Sequence, residues 1–508
     1  MLVAMPRTAV AQPHLAAYEL SLLLGSAIYL YLNLFTLTGT PFLLGGDQVF
    51  YWTYALRLLH GEGIYQDFFQ ITPPGTDLVY LGAFQLFGPH IWVPNLVVLV
   101  VGISLCWLCF RVARSIMRPG QAALAAALFT IFFYGKMLNG THHAFSMLAV
   151  MAALAVVVEG NTATRFAFAG VFLGAASFFT QTAGAFVALG IAAYLIRDGF
   201  RKGTAASMWL KPQALLWLPL GLTWLALSGY FIATAGLRQL LYFQITHVRH
   251  YMVSGHDGLS LGFSEALTWI GQPSGAEHLL VYAALPCVYA YSLWKCRGGS
   301  GPREPEPAEA GRIVPLAMAG VATFVEVAQH PSWLRVYYTL IPGVILFVWI
   351  LAQRIGRWQK YAVPLLAMGL LGIASYQTWF RHRAQFEVAD LPAGRIATTP
   401  LNAERLTWLA RHTTPGQFFF QAGWPGVYLP LGLRNPVFLD ELDTSYQIPP
   451  DYIQLSIQQL EAKRVQYVLW TPRLESPAYP FAPVHELLVK RYHRVWTFSD
   501  GDEVWQRQ

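Results

Sequence analysis

Charge is scarce in this chain. Only 12% of its 508 residues are Asp, Glu, Lys or Arg, while 55% are hydrophobic and the mean hydropathy is positive. So little charge cannot solvate a soluble protein of this size, so most of the chain must face lipid. Cysteine is also scarce. Cys106 and Cys109 lie in one apolar run, Cys287 in a second and Cys296 at that run's basic end, so no pair is placed for a structural disulfide. With Trp107 and Leu108 between them, Cys106 and Cys109 lack the aqueous, electropositive setting of a redox or metal site. Dinucleotide fingerprints and phosphate loops are missing too. The glycine-rich stretch 298–311 (GGSGPREPEPAEAG) is interrupted by prolines and follows no strand, so it reads as a flexible cytoplasmic linker. Nothing here handles a nucleotide sugar or ATP. The net charge of +7 is scattered in short clusters between apolar runs, which argues against nucleic acid.

Long apolar runs are what the chain does have. The first, from about Tyr18 to Leu37, is too long for a cleavable signal core and has no small-residue cleavage site after it, so it reads as a retained span. Ten more follow near 91–112, 121–135, 143–158, 166–180, 183–196, 213–235, 279–296, 313–329, 337–353 and 361–379. With a cytoplasmic N-terminus, about 16 cations fall in inner loops and about five in outer ones, as the positive-inside rule expects. An odd number of spans then puts the tail outside. The expectation is an α-helical polytopic membrane protein of about 11 spans over residues 1–380, with large outer loops at 38–90 and 236–278. A small extracytoplasmic α/β domain follows over 381–508. Within it, Gln417–Gln421, Val465–Trp470 and Val495–Phe498 read as strands, Asn402–His412 and Tyr452–Lys463 as helices, and 499–502 as a hairpin turn.

Loops that large at a membrane surface are where function concentrates. Asp47 stands just past the first span and opens an amphipathic helix over about Gln48 to Leu59, a depth at which an acid is a functional candidate. A helix cap is the plainer alternative, and the two roles are compatible. Asp67 reads as a turn residue or an acceptor-side group, and Asp77 as a cap after Pro73-Pro74-Gly75. Tyr51, Trp52 and Tyr54 can stack on a sugar ring or anchor an interfacial helix.

The order of these motifs resembles the lipid-linked-sugar glycosyltransferases of the GT-C fold, in the branch of protein O-mannosyltransferases and aminoarabinose transferases. An acid after the first span is followed by a surface helix, IYQDFF, a proline pair and LFG. YGKMLNGTHHAFS, TQTAG, YFQITHVRHYM and HPSWLRVYYTLIPG then fall where such enzymes carry outer-face elements, so the resemblance covers nearly the whole chain. It implies transfer of a sugar from a polyprenyl-phosphate donor to a glycan, lipid or protein acceptor on the outer face of the cell membrane, with Asp47 as base. A carboxylate beside the acceptor hydroxyl takes its proton while cations stabilise the departing phosphate. Arg249, with His247 and His250, is the first choice for that phosphate partner, followed by Arg335 and Lys136. His142, His143 and Gln70 join Asp67 as second-loop or acceptor-side candidates. Headgroup anchoring is the alternative for the cations, and helix capping for the two histidines.

Two departures stand out. Many relatives have Asp-Glu where this chain has Asp47-Gln48, and Glu-Lys before the proline pair where it has Gln70, Ile71 and Thr72. No metal ligands are therefore assigned, although a divalent ion stays open. A transporter or flippase would carry mid-span charges and a repeat between halves, but most ionisable groups lie at span ends, Glu326 being the clearest exception. A lipid-linked oligosaccharide polymerase or ligase would share the chemistry without needing the acid after span one.

Overall fold

The computed structural model describes residues 13–160, 162–249, 275–297, 305–328, 333–442, 448–475 and 481–508. Each of the eleven apolar runs falls on helix: α1 (Pro13–Leu34), α4 (Trp92–Arg114), α5 (Pro119–Leu128), α6 (His142–Val158), α7 (Ala163–Phe179), α8 (Ala183–Arg201), α9 (Ala206–Ala235), α11 (Gly275–Lys295), α12 (Pro307–Ala328), the pair α13 (Trp333–Thr339) and α14 (Ile341–Ile355), and α15 (Gln359–Ala384). Between them, α2 (Gln48–Leu59) and α3 (Gly75–Phe87) build the first large loop, and α10 (Leu237–Leu241) opens the second.

Among the described residues, length and apolarity qualify six helices to cross a bilayer, or seven if α13 and α14 are one span broken by 59°; α6 and α7 are apolar but shorter. The expected eleven exceeds the number that length and apolarity alone qualify. The reason is local: α5 gives way to a π-helical turn at Phe129–Tyr134, and Pro342 follows the break between α13 and α14. The long helices α9 and α15 leave Leu218, Leu222, Leu225, Leu365, Met368 and Leu371 exposed, an apolar surface suited to lipid. Small residues bring other helices close: a Cβ on Gly170 would lie 2.3 Å from the Leu216 carbonyl oxygen of α9.

The tail forms two small sheets. Strands β1 (Glu387–Leu391) and β2 (Gly394–Thr398) make an antiparallel hairpin, and β3 (Phe419–Gln421), β4 (Tyr467–Trp470), β5 (Tyr492–Thr497) and β6 (Glu503–Arg507) assemble in the order β3-β4-β6-β5. Helices α16 (Pro400–His412), α17 (Pro450–Ala462) and α18 (Ala482–Arg491) pack around them. Strand β4, parallel to β3 and central, is buried at every position, whereas edge strand β5 is mostly exposed. The hairpin β1–β2 was not expected from the sequence, because its Pro392-Ala393 turn lacks the Asn-Gly or Asp-Gly signal. It is stitched to the helical part by amides: Leu43 donates to the Ala397 carbonyl and Ala397 to the Pro41 carbonyl, both at 2.9 Å.

A second seam is ionic. Arg57 of α2 is buried, donating from Nε to Glu62 at 2.7 Å and from Nη1 to both Asp440 Oδ1 and the Val437 carbonyl at 2.9 Å. Its Nη2 reaches the Asp67 carbonyl at 3.0 Å. Removing one member of such a pair leaves a buried charge without compensation. Arg57→Ala is expected to cost about 3–5 kcal/mol, read as a lowered thermal midpoint in detergent and faster protease cleavage between the helical part and the tail.

Candidate functional site

Asp47 sits at the N-terminus of α2 with helical backbone angles (φ −55°, ψ −23°), and its carboxylate makes no capping hydrogen bond. The cap weighed from the sequence is therefore not formed, and the carboxylate faces a cavity instead. Gly46, at φ +75°, lets the chain turn against Asn139, whose side-chain nitrogen would lie 2.9 Å from a Cβ there. The neighbouring Gln48 is buried and works as an amide at both ends. Its Nε2 donates to the Gly45 carbonyl at 2.8 Å and the Leu138 carbonyl at 3.3 Å, while Oε1 accepts the Gly140 amide at 3.0 Å. Tyr80 donates to the Gly140 carbonyl at 3.0 Å, and Tyr338 donates to the Asn139 carbonyl. The loop before α6 is thus locked against the turn that carries Asp47.

The cavity beside Asp47 measures about 440 Å³, within the range of small-ligand sites. Asp47, Gln70, His142, His143 and Arg335 all line it, together with Glu326. Segments far apart in sequence supply these groups. His142 and His143 open α6, and His142 Nδ1 lies 2.8 Å from the Thr180 hydroxyl in the TQTAG break between α7 and α8. Thr182 of that break donates to Glu326 at 2.7 Å. Arg335 comes from α13. Burial lifts the Asp47 carboxyl above the ordinary carboxylate range, and Arg335 opposes the shift by favouring its charged form.

Other candidates stand elsewhere. Asp67 accepts the Gly63 amide at 2.7 Å in an exposed turn, and Lys136 pairs with Glu277 and lies 4.2 Å from the Phe132 ring centre; neither lines the cavity. His247 is buried with its ring 5.0 Å from Phe69, and Arg249 is exposed, one residue past the cavity-lining Val248. His250 lies outside the described residues. Of the cations proposed for phosphate, Arg335 is the one on the cavity wall among the described residues, ahead of the first-choice Arg249. Among these residues no group of three or more His, Cys, Asp or Glu gathers to hold a metal ion.

Several lining residues gave little sequence signal. Trp424, Asp440 and Glu441 come from the tail, in a stretch that reads as loop. Asp440 is buried, receives Arg57 and Asn435 at 2.9 and 2.8 Å, and is pushed up to about 6 by burial against the pull of Arg57. Asp77 does not cap α3, which Pro74 precedes. It is buried behind the wall, accepting from Gln70 at 3.0 Å through Oδ2, while Oδ1 has no partner. Its carboxyl is held well above the usual range by that burial.

The architecture has solved counterparts. A crystal structure of ArnT from Cupriavidus metallidurans in the apo state superposes with a TM-score of 0.63 at 12% identity, covering 96% of this chain and 98% of that one. The chain has a GT-C fold. The undecaprenyl-phosphate-bound ArnT structure gives a TM-score of 0.61 at 13% identity and covers 98% of both chains. The Archaeoglobus fulgidus oligosaccharyltransferase tethered with an acceptor peptide gives 0.51 at 14%, covering 97% of this chain and 74% of that one. The family described as dolichyl-phosphate-mannose-protein mannosyltransferase matches residues 72–250, which hold the two histidines and the TQTAG break of this GT-C chain. No curated protein matches the sequence.

Gln70 gives a direct check on this geometry. Gln70→Ala strips the buried Asp77 of its partner and is expected to cost about 1–3 kcal/mol, seen as a lowered thermal midpoint in detergent.

Proposed function

We propose that the chain is a membrane glycosyltransferase that moves a sugar from a polyprenyl-phosphate donor to an acceptor hydroxyl in the Asp47 cavity. The observation that carries the reading is the presence of Asp47 and Arg335 on the wall of one cavity within a GT-C fold. A general base and a phosphate partner are the two groups this reaction needs. Asp47 takes the proton of the acceptor hydroxyl, whose oxygen attacks the anomeric carbon. The bond from that carbon to the phosphate oxygen breaks on the opposite face, so configuration inverts. The electron pair leaves with the lipid phosphate, and Arg335 neutralises it. In this reading His142 and His143, on the cavity wall, hydrogen-bond sugar hydroxyls.

In this reading the eleven helical runs are eleven crossings, some of them short or broken, and the cavity and tail face the outside of the cell membrane. The charge distribution supports that orientation. The lipid tail of the donor would lie along the exposed apolar helices, with its phosphate entering near Arg335.

Purified chain given radiolabelled polyprenyl-phosphate sugars and an envelope extract from its source cells should transfer label. Asp47→Asn should abolish transfer, a loss of at least a hundredfold within the general-base range of roughly 10²–10⁴, while stabilisation by undecaprenyl phosphate persists. Equal transfer by both forms would remove Asp47 as the base. Arg335→Ala should instead weaken that stabilisation by the lipid phosphate. Because the base acts ionised and its carboxyl is lifted by burial, the acid limb of kcat/KM should lie above the ordinary aspartate value of 3.8.

A further inference from the structure

A second cavity of about 410 Å³ opens between the tail and the turn that leads into α2. It shares one side chain with the Asp47 cavity, Trp424, whose ring meets Phe50 edge-on with centroids 4.6 Å apart. The first turn of α2 therefore divides the two spaces. Asp47 and Phe50 face one, while Gly45 and Val49 face the other. A ligand held in the second cavity lies just across Trp424 from the carboxylate.

The lining of this second space has a definite chemistry. Arg405 pairs with Asp502 at 2.8 Å and with Asp500, and its Nε is buried without a partner. Arg473, Asn402 and Thr471 stand beside them. Two guanidinium groups balance two carboxylates, so the cavity selects neither an anion nor a cation. It instead offers the guanidinium hydrogens and carboxylate oxygens left over from these pairs, with an amide and a hydroxyl, beside the Trp424 indole. Planar hydrogen-bonding groups beside an aromatic plate suit a neutral, hydroxyl-rich ring with an apolar face.

We infer that this second cavity binds a neutral glycan and presents one of its hydroxyls past Trp424 to Asp47, so that the acceptor is a carbohydrate. The inference rests on the sugar-transfer reading above. The step is the one already written: the glycan oxygen bonds to the anomeric carbon, the bond to phosphate breaks, and the proton goes to Asp47.

The test uses the full chain in detergent with the labelled lipid-linked sugars and the envelope extract. Asn402→Trp fills the cavity, and Thr471→Val removes a hydroxyl with little change of shape. Asn402→Trp should raise the KM for the extract at least tenfold and Thr471→Val should raise it by a smaller factor, with stabilisation by undecaprenyl phosphate unchanged in both. After protease digestion and mild acid cleavage of lipid links, the transferred label should run with oligosaccharide. An unchanged acceptor KM in both variants, or label on peptide or on a sugar-free lipid, overturns the inference while leaving transfer by Asp47 intact. If the wild-type chain transfers nothing, the transferase reading fails and this inference falls with it.

Discussion

One buried guanidinium holds the two parts of this protein in register. Arg57 lies on α2, the helix that Asp47 opens, and its contacts run to Glu62 and Asp67 on one side and to Val437 and Asp440 on the other. A charge taken out of water is tolerable only when each of its hydrogens finds an acceptor. Since Asp440 also lines the Asp47 cavity, the contacts that satisfy Arg57 fix the distance between the helical wall and the tail wall. The cavity exists in this form because the tail is docked there.

The same economy explains Gln48. It must donate to two carbonyls and accept one amide, which a carboxamide does and an ionised carboxylate does not. Seen from the sequence, Gln48 looked like a missing acid. In the fold it is the pin that seats the Leu138–Gly140 loop, and with it the start of α6 that carries His142 and His143.

Electrostatics in the cavity are lopsided. Asp47, Glu326, Asp440 and Glu441 face a single lining guanidinium, that of Arg335, among the described residues. A phosphate would be repelled by four full charges. Arg57 and Asn435 both donate to Asp440, so the Arg57 guanidinium offsets the charge of that carboxylate. The field met by an anion is correspondingly weaker, and Arg335 can dominate it locally.

Much of this was legible in the order of residues. Apolar runs mark helices because backbone amides in lipid must bond within their own segment, so each of the eleven runs became helix. Asp47 was readable as a candidate because a charge just past a span is costly, and the fold puts it on a cavity wall; the tail's α16, α17 and most of its main sheet announced themselves by period and turn chemistry. Which cations reach the cavity was not legible. Arg335 and Arg249 are both basic residues near aromatic neighbours, and only the tertiary fold sets Arg335 on the cavity wall with Asp47 while Arg249 stays exposed. Nor could sequence place Trp424, Asp440 or Glu441, some 380 residues from Asp47, because periodicity reports a residue's own element and not the surface that element meets. The sequence by itself determined a helical membrane chain with an acid after its first span. Which groups gather around that acid was decided by packing between distant segments, since hydrogen bonds and buried ion pairs depend on separation in space and carry no trace in local pattern.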